Sequence, residues 1–560
     1  MLTVLLTWLL AAALTTTLGA AAYDRRPRAG APVPPPPAEW LSAVGLALLT
    51  AGLQLWSLAA SVGSARPVLA AAAVLVLVSR RRAVAQWLRT LWQALRRPAG
   101  KTTALLTAVL LGWVLVYASQ RPLSFDVGLY TLQTLQWAEH YPVMPGLGNL
   151  HGRLAFNSSW FLPTALLKLP TPAGAAYGLS SYPLALLAVA AGRGLSQGLR
   201  HPGATGAGAW APLVLVLVLL HFFQSRLSSA LTDSPAAALL SLLGLHYAAC
   251  WRRAAGLGRA DALAGLLVAL LLVTIKLSVL PVLLLAAQAL WSTRRLAGRA
   301  AWLMPLGLAG LVLGPWLARN ALLSGYLVYP LPALDWLSVD WKVPAEAARI
   351  EQNLIVNLAR NLPHAVAAGP VAANWSWLGQ WWALSRPDQQ ALLLVAALSV
   401  LAAAWRWRRG VPRVETGWAV GWLTGWLGSG FWLLAAPDFR FGLGFLLLAA
   451  LSPWLAAEAP LPGPRGRLVL GAALLLWLGQ QMRDPLYHLR TDPPRFATRV
   501  LWPEPAPAAA TVPWPIGGGW VRVPQRGWQC YAAPLPCARC GETGLMRRGP
   551  RLSQGFRRRP

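Results

Sequence analysis

Residues 260–292 read ADALAGLLVALLLVTIKLSVLPVLLLAAQALWS, and the course of the whole chain turns on them. As one continuous span this stretch would put the arginines that follow, Arg294, Arg295 and Arg299, on the opposite side of a membrane from Arg252, Arg253 and Arg259. As a hairpin of two short spans turning near Lys276 it returns the chain to the side it left. The hairpin is preferred because cytoplasmic loops of membrane proteins carry an excess of Lys and Arg. Its cost is length: two helices of about 15 residues each rise only about 22 Å. They would be re-entrant or sit in a thinned region.

The rest of the chain supports a membrane reading. It has 560 residues, is 56% hydrophobic and only 12% charged, and holds 31 Trp. A soluble domain carries about a quarter charged residues. Apolar runs recur at roughly 2–22, 40–63, 67–79, 102–119, 174–192, 209–223, 234–250, 260–275, 277–292, 300–318, 390–405, 416–436, 441–457 and 467–482. The expected fold class is therefore an all-α integral membrane protein, a polytopic helical bundle of about 12–14 transmembrane helices.

Alternate loops are basic. One set holds Arg25/Arg26/Arg28, Arg80 to Lys101, Arg252/Arg253/Arg259, Arg294/Arg295/Arg299 and Arg406/Arg408/Arg409/Arg413, which marks the cytoplasmic side. The outer side then holds two long loops, 120–173 and 319–389, and both termini. Segment 2–22 has its bases after it rather than before it, which favours a retained helix over a cleaved signal peptide. Three regions follow: N-terminal spans with a basic loop (1–101), a transmembrane core (102–482) and a Pro- and Arg-rich tail (483–560). The net charge of +31 does not imply nucleic acid. The bases are almost all Arg in an Ala-, Pro- and Gly-rich chain, cytoplasmic loops of membrane proteins are Arg-rich by default, and no nucleic-acid motif accompanies them.

The polar residues concentrate on the outer side. Residues 125–160, FDVGLYTLQTLQWAEHYPVMPGLGNLHGRLAFNSSW, gather Asp126, Glu139, His140, Asn149, His151, Arg153 and Asn157. Leu129, Leu132, Trp137 and Gln133/Gln136 have the spacing of an amphipathic helix at the interface. Asp126 at its start suits either an N-cap or a catalytic carboxylate. The Gly- and Pro-rich loop that follows offers a base, amide donors and a guanidinium fork, or else only satisfies its own backbone. Asp126 with His140 and His151 is a candidate divalent-cation set of irregular spacing.

Three further outer features stand out. Asp233, in SRLSSALTDSPAAALL, is a helix cap or a second carboxylate for the same cavity. Lys276 is either a snorkelling ammonium or a phosphate partner. Asp438 and Arg440, in APDFRFGLGF, form a local ion pair or face an anionic substrate. The Trp-rich loop 319–389 is an aromatic belt or a sugar-stacking platform. In the tail, QCYAAPLPCARC suggests a disulfide from Cys530 to Cys537 or Cys540.

The run FDVGLYTLQTLQWAEHYPVMPGLGNLHGRLAFNSSWF, with APDFRFGLG and CYAAPLPC…RRGPRLSQGF, resembles a family of uncharacterised bacterial polytopic membrane proteins from about residue 100 to the C-terminus. The layout is similar, more loosely, to the GT-C glycosyltransferases, with a first extracytoplasmic loop and interfacial helices. That resemblance implies a bacterial inner-membrane enzyme moving sugar from a polyprenyl-phosphate carrier to a glycan, lipid or protein acceptor. On it, Asp126 corresponds to the catalytic carboxylate, although GT-C enzymes often pair acids where this chain has Asp126-Val127. Asp126 or His140 would be the base, Arg153, Arg440 and Lys276 would face the phosphate, and Asp233 would orient the acceptor or help bind a metal. The alternatives are a transporter or flippase of lipid-linked or anionic cargo, and a surface-polysaccharide ligase or polymerase.

Overall fold

A computed structural model describes residues 1–23, 36–71, 98–172, 174–200, 209–252, 256–296, 298, 301–408, 417–455, 479–480, 487, 490–539 and 544–559. Residues 72–79 of the span expected at 67–79, most of the span expected at 467–482, much of the basic loop before Lys101, and Arg25, Arg26, Arg28, Arg253, Arg299, Arg409, Arg413 and Cys540 lie outside the described residues.

The fold is mostly helical. Its main elements are α1 (Leu2–Ala22), α2 (Ala38–Ala59), α3 (Pro98–Ala118), α4 (Leu132–His140), α5 (Tyr182–Arg200), α6 (Ala211–Phe223) and α7 (Asp233–Trp251). There follow α8 (Arg259–Ile275), α9 (Val282–Thr293), α10 (Leu303–Ser324), α11 (Ala345–Ala359), α12 (Pro387–Arg408), α13 (Gly417–Ala435) and α14 (Phe439–Leu455). Among the described residues, five helices are long and apolar enough to cross a membrane: Leu2–Ala22, Ala38–Ala59, Gly100–Ala118, Leu303–Ser324 and Pro387–Arg408. The other helices at expected spans are shorter or less apolar: α6 has 13 residues and α9 has 12. The run at 174–192 is not helical from its start. A two-stranded turn pairs Leu169–Thr171 with Gly174–Ala176, and α5 begins only at Tyr182.

Residues 260–292 form two helices. α8 stops at Ile275, Lys276 is extended (φ −158°, ψ 122°), and Pro281 lies just before α9. The two helices pack against each other, so the chain turns at Lys276. α8 is central, touching α2, α7, α9 and α10, while α7 also packs on α14.

Close packing elsewhere depends on small residues. A Cβ on Gly45 would lie 1.7 Å from the Thr15 carbonyl oxygen, and one on Gly19 would lie 1.9 Å from that of Leu41. α1 and α2 therefore approach backbone to backbone, as small residues permit between apolar helices. Thr15, Ser42 and Tyr182 share hydroxyl hydrogen bonds across that contact, and all three are buried.

The tail folds back over the first long loop. Thr511–Ile516 pairs antiparallel with Gly519–Pro524, and Leu545–Arg547 with Phe556–Arg558. Tyr531 N–H donates to the Gly128 carbonyl and Phe556 N–H to that of Pro145. A disulfide joins Cys530 to Cys537 across a Cα separation of 6.0 Å.

Candidate functional site

Four separate parts of the chain deliver charged side chains to one place. A helical stretch follows α3, entering through a π-turn at Val127–Thr131 and continuing as α4. Asp126 opens it but makes no side-chain capping bond. Its Oδ1 instead accepts from Arg153 Nη1 at 2.7 Å, and its Oδ2 lies 3.5 Å from Arg440 Nη1. Arg153 comes from a 3-10 turn, Gly152–Ala155, in the same loop.

Arg440, at the start of α14, is the hub. Its Nε donates to Asp438 Oδ2 at 2.7 Å, and its Nη1 also lies 3.8 Å from Asp233 Oδ2. Asp233, the first residue of α7, accepts from Lys276 Nζ at the α8–α9 turn. Lys276 Nζ in turn sits 3.4 Å above the Phe441 ring. The local Asp438–Arg440 pair and the wider cluster thus exist together. Asp126, Arg153, Asp233, Lys276, Asp438 and Arg440 form one continuous chain of ion pairs. Asp126 and Arg153 each keep 17% of their side-chain surface, Arg440 25% and Asp438 32%, so the cluster is walled in but open to solvent on one side. Below it, Ser278, Val279, Phe441, Gly444 and Phe445 line a recess between α7 and α14.

The family described as "Domain of unknown function (DUF8201)" matches residues 1–447. The chain belongs to the DUF8201 family. The match begins earlier than residue 100 and contains every member of the cluster, whereas the tail lies beyond it. No curated protein and no solved structure matches the chain.

The family region also supplies two residues that sequence reading missed. Glu351, on α11, places Oε2 3.5 Å from Arg153 Nε. It reaches the loop because Gly152 has no side chain: a Cβ there would lie 2.9 Å from Glu351 Cγ and 3.1 Å from the Tyr329 hydroxyl. Burial raises the Glu351 carboxyl pKa, against the opposing charge of Arg153. Tyr130, on the π-turn, is held protonated by burial and then by the Asp126 charge, both of which raise its pKa. The only sequence signals were an acid on an amphipathic helix and a Tyr one turn beyond Asp126, neither unusual in its setting.

Four expected residues stand apart from the cluster. His140 ends α4, roughly 20 Å along the helix from Asp126. It is 60% exposed, with Nε2 3.9 Å from Glu139 Oε2, so it cannot act on the same atom as Asp126. Glu139 belongs to another set, bonded by Arg66 and Lys168. Burial alone would raise its pKa, but those two cations outweigh it and hold the carboxyl below its usual range. His151 is buried and its Nδ1 accepts from Arg153 N–H at 3.1 Å. Burial, then the Arg153 and Arg539 charges, pull its pKa down to about 3. A neutral His151 therefore shapes the turn that carries Arg153. Asp126, His140 and His151 do not surround one point and do not form a metal set.

Asn149 donates to the carbonyls of Trp341, at 2.8 Å, and Phe556, at 3.4 Å. Asn157 donates to the Trp316 carbonyl at 2.8 Å and accepts from Arg319 Nε at 3.0 Å. Both tie the loop to neighbouring elements. The amphipathic stretch is also not laid open on a membrane surface. Leu129, Leu132 and Trp137 are buried, and Gln133 and Gln136 donate to tail carbonyls of Tyr531, Ala532 and Ala533.

Proposed function

We propose that this protein is a GT-C-type glycosyltransferase of the bacterial inner membrane that takes sugar from a polyprenyl-phosphate carrier on the extracytoplasmic face. The observation that supports this reading is the convergence of Asp126, Asp233 and Asp438 on Arg440, with Arg153 and Lys276 beside them. A transferase of this kind needs a base for the acceptor hydroxyl and cations for a departing phosphate. Both are present, on elements far apart in sequence.

In the proposed reaction the donor phosphate competes with carboxylates for Arg153 and Arg440, since a guanidinium fork binds either anion. Displacing Asp126 from these arginines frees it as a base. The acceptor oxygen then bonds to the anomeric carbon, the carbon–oxygen bond to the carrier phosphate breaks with its electron pair leaving on the phosphate, and Asp126 takes the hydroxyl proton. Lys276, Arg153 and Arg440 stabilise the charge on the released polyprenyl phosphate.

Radiolabelled polyprenyl-phosphate sugars supplied to membranes containing the protein test this. Wild type should move label to an endogenous acceptor and Asp126→Asn should not, at equal protein content. Undiminished transfer by Asp126→Asn would remove Asp126 from the reaction.

A further inference from the structure

The other end of α7 holds a second group of side chains, unconnected with the ion-pair cluster. His246 and Cys250 are four residues apart on one helical face, and Asp261 comes from the first turn of α8. His246 lies thirteen residues along α7 from Asp233, about 20 Å away. All three are buried, at 6%, 0% and 4% exposure. Their potential ligand atoms lie within 4.8 Å of one another.

The two separations from His246 have the values a tetrahedral ion imposes. Zinc sits about 2.0–2.1 Å from an imidazole nitrogen or carboxylate oxygen and about 2.3 Å from a thiolate sulfur, so tetrahedral angles separate N from S by about 3.5 Å and N from O by about 3.4 Å. Here Cys250 Sγ lies 3.5 Å from His246 Nε2, and Asp261 Oδ1 lies 3.4 Å from the same nitrogen. A Cys–His–Asp proteolytic relay would have the carboxylate on the opposite ring nitrogen, whereas here the carboxylate and the sulfur both face Nε2. We propose that His246, Cys250 and Asp261 bind a divalent transition metal of the zinc class.

The chemistry of the donors favours zinc over calcium or magnesium, which take oxygen ligands. The thiol releases its proton to solvent on binding, and one thiolate plus one carboxylate then neutralise a divalent ion. That balance matters in a buried site, where net charge is costly. Supporting contacts fit as well. The Tyr23 hydroxyl donates to Asp261 Oδ1, and Trp40 stacks on the His246 ring at 3.8 Å between centroids, 8° from parallel. Such contacts fix the orientation of ligands. The metal would clamp α7 to α8, with Tyr23 at the end of α1 joined through Asp261.

The full chain, purified in detergent without chelator, should carry about one zinc per molecule by elemental mass spectrometry, a single occupied site. Cys250→Ser and Asp261→Asn should lose it, while Ser241→Ala, on the same helix, should keep it. Cobalt exchanged into wild type should show a thiolate-to-cobalt charge-transfer band, a readout that requires no variant to fold. Zinc-free wild type that gives no cobalt band would overturn the proposal, as would full zinc content in Cys250→Ser.

Discussion

Arg440 concentrates more electrostatic consequence than any other described residue of the ion-pair cluster, because three aspartates from different elements depend on it. Arg440→Ala should lower unfolding free energy by about 2 kcal/mol, below the roughly 3–5 kcal/mol that breaking a fully buried pair costs, because the side chain keeps some solvent. Arg440→Lys keeps the charge but loses the fork, so thermal melts in detergent should place it between Ala and wild type. His151 yields a pH prediction. Its folded pKa of about 3 lies below the ordinary 6.5, so the unfolded chain binds the proton more readily. Its effect on stability is absent above pH 6.5. Below that the fold loses up to about 1.4 kcal/mol per pH unit as the unfolded side chain protonates. His151→Gln, which can still accept from Arg153 N–H, should flatten the melting-temperature profile between pH 6.5 and 4. An unchanged acid limb would show that other groups control it. At this scale the sequence was readable where a charge interrupts an apolar run, as at Asp126, Asp233, Lys276 and Arg440. It was unreadable where a neighbour of the cluster sits in an ordinary context, as Glu351 and Tyr130 do.

Among elements, the stretch from Asp126 to His140 carries the clearest lesson. Its helical character follows from the spacing of Leu129, Leu132 and Trp137, but that same helix moves His140 to the far end, away from Asp126. A loop would have allowed the two to meet. The tail that covers this helix was not foreseeable either, because carbonyl partners such as Tyr531 and Ala533 leave no residue-type signature. The turn at Lys276 was legible, since Lys276 and Pro281 both interrupt helix in an otherwise apolar run. The α1–α2 contact supplies a packing prediction. Gly45→Val must push aside the Thr15 carbonyl, an overpacking cost of about 1–3 kcal/mol. Its melting temperature should fall, whereas Gly52→Val, at a position with no atom near the added Cβ, should fall far less.

For the whole molecule, the turn at Lys276 and the basic loops together predict which side each loop takes. Leu123→Cys and Trp336→Cys, exposed near the ion-pair cluster and in the second long loop, should react with a membrane-impermeant maleimide on intact cells. Ser292→Cys, exposed at the end of α9, should react only after permeabilisation. Labelling of Ser292→Cys in intact cells would reverse the topology. Charge alone predicts the sides, and the labelling tests them; span count was not legible. Apolar runs such as 174–192 and 277–292 turned out to begin with a strand turn or a 3-10 turn before their helices. The most direct test of the central claim compares Asp126→Asn with His140→Ala in purified protein given one polyprenyl-phosphate sugar donor. Asp126→Asn should lower transfer by about 10²–10⁴-fold, the usual worth of a general base, and His140→Ala should leave it near wild type. Transfer lost in His140→Ala but retained in Asp126→Asn would contradict the assignment of the ion-pair cluster as the active site.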